Sequence, residues 1–378
     1  MNSRLMKKAL SLLLAAAMAT AMLPLSALAA YTDTAGHYAQ AAIEKWSDAG
    51  ILTGDAGTFR PDAPITRGEM AVIIDRVMKF REKSENTFSD LGQDFYTDAV
   101  LKANAAGVML GHDGMVRPAD KITREDAAVM LGRALGVRES AAASAFSDAA
   151  SVSDYAVGYV NALAAKGYIR GDQNMYRPKS GITRAEVVTI LNNAIGGLFT
   201  EGKEYTGDVT GMAVVSAPDA VLKDMTITGD LLIAQGVGQG DVTLDNVKVT
   251  GATVIRGGGT NSIHIVGASE LGPIYIEKTA DGEIRVVKAD GSAVGVIYVD
   301  DGDDAVILEG AFDDVTVNAE VEVRINSGST VSTLTVNAQA TIENKGTVTA
   351  AEVNADGVTL SGSKPKTVTV DPSVTEQP

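Results

Sequence analysis

Cysteine is missing from all 378 residues, which removes disulfides, zinc–thiolate sites, iron–sulfur clusters and cysteine nucleophiles together. Histidine is nearly missing: His37, His112 and His264 stand far apart with no HExxH spacing, so no metal or cofactor is expected. Aromatics make up only 5% against 39 glycines, a balance that suits tight turns and small side chains. Positive charge is short in one half. Residues 201–378 hold 27 acidic and 11 basic residues, while residues 1–200 hold 21 of each, and the net charge is -16. Such a chain is a poor partner for nucleic acid or an anionic membrane. What is present is 45% apolar, enough to build cores in two or three folded units.

One stretch is apolar enough to span a bilayer. Arg4, Lys7 and Lys8 precede an apolar run from Ala9 to Ala30 that is interrupted by Pro24 and Ser26. Ala27-Leu28-Ala29 supplies the small-x-small pattern of a signal-peptidase site, so residues 1–29 read as a signal peptide and the mature chain as exported, with no membrane segment. The competing reading is a retained anchor.

Residues 31–198 contain a threefold repeat. Tyr31-Thr32-Asp33, Phe88-Ser89-Asp90 and Phe146-Ser147-Asp148 each open a unit, and each unit runs to a glycine pair, Gly50/Gly54, Gly107/Gly111 and Gly167/Gly171. Eleven residues after the first glycine stands the proline of Arg60-Pro61, Arg117-Pro118 or Arg177-Pro178; seventeen after it stands the arginine of Ile65-Thr66-Arg67, Ile122-Thr123-Arg124 or Ile182-Thr183-Arg184. In the first helix Tyr38, Ala42, Ile43 and Trp46 recur at helical spacing, as Phe95, Ala99, Val100 and Ala103 do in the second unit. Trp46 reads as core rather than a sugar platform, because Ala103 and Leu163 hold its place elsewhere. The first glycine ends that helix in a left-handed backbone, and Thr66-Arg67-Gly68-Glu69 starts a second as a capping box. Thr183-Arg184-Ala185-Glu186 repeats the box, and Thr123-Arg124-Glu125-Asp126 offers a shorter acid. Each unit is helix, loop, helix, and single units are too small to stand alone.

Arg67, Arg124 and Arg184 sit at the first position of a helix, where the macrodipole already places positive charge. Free backbone amides at that end would join the guanidinium in an anion site. The plainer alternative is an ion pair with a local acid, such as Arg67 with Asp33, and physics alone does not choose.

The repeat resembles the S-layer homology domain, most closely through Gly50-Ile51-Leu52-Thr53-Gly54, Phe59-Arg60-Pro61 and Ile182-Thr183-Arg184-Ala185-Glu186. The resemblance implies repeats at 31–80, 86–137 and 144–198, packed as a pseudo-threefold helical bundle. It further implies non-covalent attachment to the cell wall through a secondary cell-wall polysaccharide, often one bearing a ketal pyruvate. Carried over, it gives Arg67, Arg124 and Arg184 the pairing with that carboxylate. Asp33, Asp90 and Asp148 would bond sugar hydroxyls or orient the arginines, and Gly50, Gly107 and Gly167 would let the backbone approach the sugar. The second unit lacks the aromatic before Arg-Pro, and the third has two extra residues between Asp148 and Gly167, so the first groove is expected to be the most competent.

Beyond Gly196-Gly197 the helical period gives way to short β-branched clusters. From Ile263-His264-Ile265 through Ile274, Ile284, Val296 and Val306 to Val315-Thr316-Val317 these start 11, 10, 12, 10 and 9 residues apart. Asn318, Asn326, Asn337, Asn344 and Asn354 recur at bends, as stacked turn asparagines do. Residues 205–370 are therefore expected to form a parallel β-solenoid, with residues 371–378 as a flexible tail. A β-sandwich is the alternative, favoured by the hairpin signals Asp281-Gly282 and Asp290-Gly291. Gly236-Val237-Gly238-Gln239-Gly240 reads as a turn, and Asp300-Asp301-Gly302-Asp303-Asp304 as a solvated acidic turn rather than a Ca²⁺ loop. The expected whole is a multidomain α + β, non-catalytic surface protein, with the solenoid as spacer, adhesive face or self-associating surface-layer element. Its rival is a wall-anchored polysaccharide-degrading enzyme with a catalytic solenoid, which requires cations and carboxylates to converge in a groove on one solenoid face.

Overall fold

A computed structural model describes residues 31–278, 282–301 and 305–376. The signal-peptide segment lies outside the described residues, as do Asp281 and three members of the acidic turn at 300–304. The chain divides after Pro61 into two compact units.

The first unit holds α1, Gln40–Asp48. Its helix ends at Gly50, whose φ of +72° is left-handed, and the Ile51 N–H bonds back to Trp46 C=O at 2.9 Å. Trp46 and Ile43 are buried. Tyr38 is 68% exposed and precedes the helix, so it does not belong to the core stripe. Phe95, 70% exposed and ahead of its own helix, is displaced from the stripe in the same way.

The second unit opens with α2, Arg67–Met78, followed by α3, Thr97–Ala105, α4, Arg124–Ala134, α5, Asp154–Ala165, and α6, Arg184–Ala194. With α1, six helices cover the three repeats. Three short segments tie the repeats into a closed ring. The Ile122 N–H donates to Ile65 C=O, Ile182 to Ile122 and Ile65 to Ile182, each at 3.1 Å. All three isoleucines are buried, so every amide in the ring is satisfied by another repeat and none by water.

Within each repeat the opening aromatic-x-Asp holds the Arg-Pro loop. Arg60, Arg117 and Arg177 take left-handed backbone, at φ +57°, +50° and +55°, a region costly for a side chain with a Cβ. Asp33 accepts from the Phe59 and Arg60 amides at 2.8 and 2.7 Å. Asp90 does the same for Val116 and Arg117, and Asp148 for Tyr176 and Arg177. The second glycine of each pair lies against the opening aromatic: a Cβ on Gly111 would stand 2.3 Å from the Phe88 ring and 2.9 Å from Met115 C=O.

α6 runs directly into the first strand, Ile195–Phe199. The strands from there to Thr367–Val370 form two sheets in which every strand pairing is parallel. This is a β-solenoid of about nine turns, not a sandwich. Ile195 pairs with Met212, 17 residues on; Leu231 with Thr253, 22 on; Ala351 with Val368, 17 on. The shorter spacing visible in the sequence is the half-coil. Inward positions stack Val, Ile and Leu, joined by Phe199 and Phe312. Gly291, at φ +94°, turns a corner between coils and not a hairpin. At one bend Asn354 donates to Asn337 and Asn337 to Asn318, both at 2.9 Å, and Asn318 to Asp300 at 2.8 Å. Asn326 and Asn344 lie outside this ladder, bonded to Glu309 and Ser363 C=O. Past the last strand, Asp356 accepts from the Thr375 and Glu376 amides, so the described part of the tail is tied down.

The solenoid caps the helices. Lys79, at the end of α2, bonds Thr200 C=O at 2.6 Å, and Arg81 bonds Gly236 C=O at 2.9 Å. Arg256 bonds the Arg133 carbonyl at the end of α4 at 2.5 Å. Lys166, after α5, pairs with Asp230 at 2.6 Å.

Gly111→Ala is expected to cost about 1–3 kcal/mol through this overpacking, and Gly92→Ala, where nothing lies within 4 Å of the new carbon, much less. Urea unfolding of the two variants checks the difference.

Candidate functional site

The three helix-start arginines point across repeat boundaries. Arg124 Nε donates to Tyr176 C=O at 2.7 Å, its guanidinium stands 5.1 Å from the Tyr176 ring, and NH1 meets Glu186 at 2.5 Å. Arg184 NH1 lies 3.6 Å from Glu69. Arg67 Nε donates to Val116 C=O at 3.1 Å, and its NH1 is 4.0 Å from Asp126. Each arginine thus faces the third helical residue of another repeat's capping box, and the acid facing Arg67 is Asp126 in place of the local Asp33. The shorter aspartate explains the looser pair. Tyr155 also holds Asp126 through a 2.8 Å hydroxyl bond.

The expected free amides are not free. Arg67 N–H donates to Asp120 C=O and Gly68 N–H to Pro118 C=O, at 3.0 and 2.8 Å. Arg124 and Glu125 donate to Ser180 and Pro178, and Arg184 to Ala63. Thr66, Thr123 and Thr183 side chains take the next amides at 3.2 Å. The ring of repeats consumes the donors that an isolated helix would leave for an anion, so the amide half of the proposed anion site is withdrawn.

An open cleft of about 630 Å³ lies beside Arg67. The second repeat supplies most of its lining, including Met109, Leu110, Arg117, Lys121 and Met130, and Tyr155 closes one side. Arg117 has its charge near the Asp90 carboxylate that holds its own loop, and Lys121 stands with it in the lining. Leu110 is half exposed and Tyr155 more so, which gives the cleft apolar patches beside its cations. Arg124 and Arg184 are the more enclosed arginines, with side chains 13% and 10% exposed against 19% for Arg67.

The candidate aspartates Asp33, Asp90 and Asp148 spend both oxygens on backbone amides, as described above. The Phe59 amide is the main influence holding the Asp33 carboxyl below its ordinary value of 3.8. For Asp90 and Asp148 partial burial pushes upward, and the two amides together outweigh it, so both are lowered. Gly50, Gly107 and Gly167 all have φ near +70°, with nothing within 4 Å of an added Cβ; backbone conformation is what requires glycine there. Sequence reasoning missed Tyr155, Met109 and Lys121. A tyrosine recurs just before a buried Ala39, Thr97 or Ala156, as Tyr38, Tyr96 and Tyr155, and that recurrence was the available signal.

The profile of the S-layer homology domain matches residues 30–71, 87–128 and 145–188. The chain carries three S-layer homology domains. A chain built on these repeats is a wall-associated protein of the cell surface. Similar proteins include the surface-layer 125 kDa protein of Lysinibacillus sphaericus, 29% identical over 54% of this chain and 18% of the relative. The cellulosome-anchoring protein of Acetivibrio thermocellus is 30% identical over 37% of this chain and 34% of its own length. The amylopullulanase of Thermoanaerobacterium thermosulfurigenes is 31% identical over 43% of this chain and 9% of its own length. The chain therefore spans about a third or less of these relatives, and the enzyme relatives match in the repeat region.

Because folding lowers the Asp90 carboxyl, the stability it supplies is whole above about pH 4 and is lost as pH falls through the depressed folded value. Asp90→Asn is expected to unfold at lower urea at pH 7 and to show a flatter acid limb than the parent below pH 4, read by urea titrations at pH 7, 4 and 2.5.

Proposed function

We propose that the S-layer homology repeats hold the chain to the cell wall by binding an acidic secondary cell-wall polysaccharide, with the cleft beside Arg67 as the principal site. The observation that carries this reading is the 4.0 Å separation of Arg67 from Asp126 at the edge of an open cleft. Arg67 is the least neutralised of the three arginines, and a planar guanidinium matches a carboxylate such as a ketal pyruvate in a bidentate fork. Arg117 and Lys121 add positive charge for further acidic sugars, and Leu110 and Tyr155 offer apolar surface to sugar ring faces. Asp90 serves this site indirectly, by fixing the loop of Val116 and Arg117 that lines it, and Asp33 and Asp148 fix the Arg-Pro loops of their own repeats. Arg124 and Arg184 serve mainly to join repeats.

The solenoid is read as a rigid spacer that presents its outer coils away from the wall and that can pack with further copies in a surface layer. Support comes from two outward arginines of one sheet that are matched to acids: Arg285 pairs with Glu309, and Arg324 with Glu283 and Glu322. A degrading enzyme would need such groups gathered around a substrate and not spent on one another.

Sedimentation of the full chain with purified walls tests the reading. Arg67→Ala is expected to weaken binding roughly tenfold or more, the loss of one charge-assisted contact, while costing about 1–2 kcal/mol of stability because the Val116 carbonyl loses its donor. Arg124→Ala is expected to destabilise by about 2–3 kcal/mol, because Glu186 and the Tyr176 carbonyl lose their donor. Removing pyruvate from the walls should erase the difference between parent and Arg67→Ala. Equal pelleting of parent and Arg67→Ala on untreated walls refutes the site.

A further inference from the structure

One helix belongs to both halves of the second unit. α4 gives Asp126, Val129, Met130 and Arg133 to the cleft beside Arg67, and its last turn is gripped by the solenoid. Arg256 places NH1 on the Arg133 carbonyl at 2.5 Å, while its Nε and NH2 hold Glu277 at 3.1 and 2.8 Å. A helix C-terminus carries carbonyls short of donors and a partial negative charge, so a cation there is stabilising. Four residues beyond α4, Arg138 bonds Glu277 at 2.8 Å and Asp300 at 2.5 Å. Its guanidinium lies 3.9 Å from the Tyr275 ring centre, and Tyr275 stacks on Tyr298. Between the two arginines, Gly136 turns at φ +64° against Val254, which would stand 3.1 Å from a Cβ. Glu277 and Asp300 are only 18% and 14% exposed. Two guanidiniums and two carboxylates from three solenoid coils and one linker therefore close a satisfied network on the end of α4.

We propose that Arg256 and Arg138 are positioning residues for the wall-binding cleft: the solenoid clamps the C-terminal end of α4 and thereby sets the placement of Val129, Met130 and Arg133 along the cleft. This rests on the reading of that cleft as the polysaccharide site. The clamp acts through rigid contact. Arg133 contributes its carbonyl to the clamp and belongs to the cleft lining, and its guanidinium stands over the Tyr159 ring of α5 at 5.9 Å. A loosened helix end shifts these groups by fractions of an ångström, enough to spoil the fit of a sugar but not to unfold the ring of repeats.

The test uses the full chain with ¹³C-methyl methionine, because Met109, Met115 and Met130 line the cleft. Arg256→Ala is expected to move the Met130 and Met109 methyl resonances and to lower wall affinity roughly tenfold, with the thermal midpoint moving by only about 2–4 °C. Arg256→Lys should recover part of the affinity, since an ammonium reaches the carbonyl but cannot fork Glu277. Arg138→Ala releases the clamp from its other side and should move the same methyls; it stands in if Arg256→Ala does not fold. Arg324→Ala, in the ion pairs of the other sheet, should leave both readouts unchanged. Unmoved cleft methyls in Arg256→Ala and Arg138→Ala overturn the proposal, and so do moved methyls with parental affinity. If the parent itself fails to pellet with walls, the methyl response still decides the clamp, and that failure counts against the polysaccharide reading instead.

Discussion

Three backbone hydrogen bonds close a circle through Ile65, Ile122 and Ile182, and the helix starts of the second unit are set by that closure. No repeat can satisfy its own isoleucine amide, so the circle forms only when the three segments meet. Their partners lie more than fifty residues apart in sequence, which makes this a non-local, all-or-none contact. Each isoleucine is followed by a threonine cap and an arginine, so fixing the isoleucine fixes where the next helix starts and which way its arginine points.

That closure also explains why the arginines do not act as isolated anion sites. The helix starts are driven against neighbouring loops, whose carbonyls take the first amides, and against neighbouring capping acids, which stand 2.5, 3.6 and 4.0 Å from Arg124, Arg184 and Arg67. The three pairs are not equal, and the widest is at Arg67. There Asp126 is one methylene shorter than Glu69 and Glu186, and the Tyr155 hydroxyl donates to that carboxylate. A small departure from the repeat, more than its conserved form, leaves an arginine with unspent charge beside open space.

Much of this was legible in the sequence. Identical offsets from glycine to proline to arginine revealed three units, and the capping boxes marked where α2, α4 and α6 begin. The β-branched clusters at half-coil spacing suited a sandwich as well, and the recurring turn asparagines tipped the reading to the parallel coils that form. What stayed hidden depended on long-range pairing. No local rule says that Asp33 turns to the amides of Phe59 and Arg60, or that an amide at a helix start meets a carbonyl from another repeat. Glu125 and the two extra residues of the third unit looked like separate irregularities. They are one feature: Glu125 is buried and receives the Ser153 amide and hydroxyl and the Lys179 ammonium, so the insertion and the odd acid compensate each other. Tyr38 and Phe95 misled because their spacing fitted a helix that begins after them.

The coils are not of one length, and the long ones stand together. Three consecutive coils are long: Leu231 to Thr253, Thr253 to Ile274 and Ile274 to Ile297 take 22, 21 and 23 residues, against 17 for the first, Ile195 to Met212. Past them, Leu334 to Ala351 and Ala351 to Val368 take 17 each. The long coils carry bespoke bends, among them the arginine and acids that grip α4, whereas the short ones are nearly interchangeable, with asparagine answering asparagine at the corner. Duplicating or deleting a 17-residue block in the outer part would then add or remove a whole layer, a step of about 4.8 Å, and leave the base untouched. Reach in such a molecule is granular, and evolution can adjust it by copying.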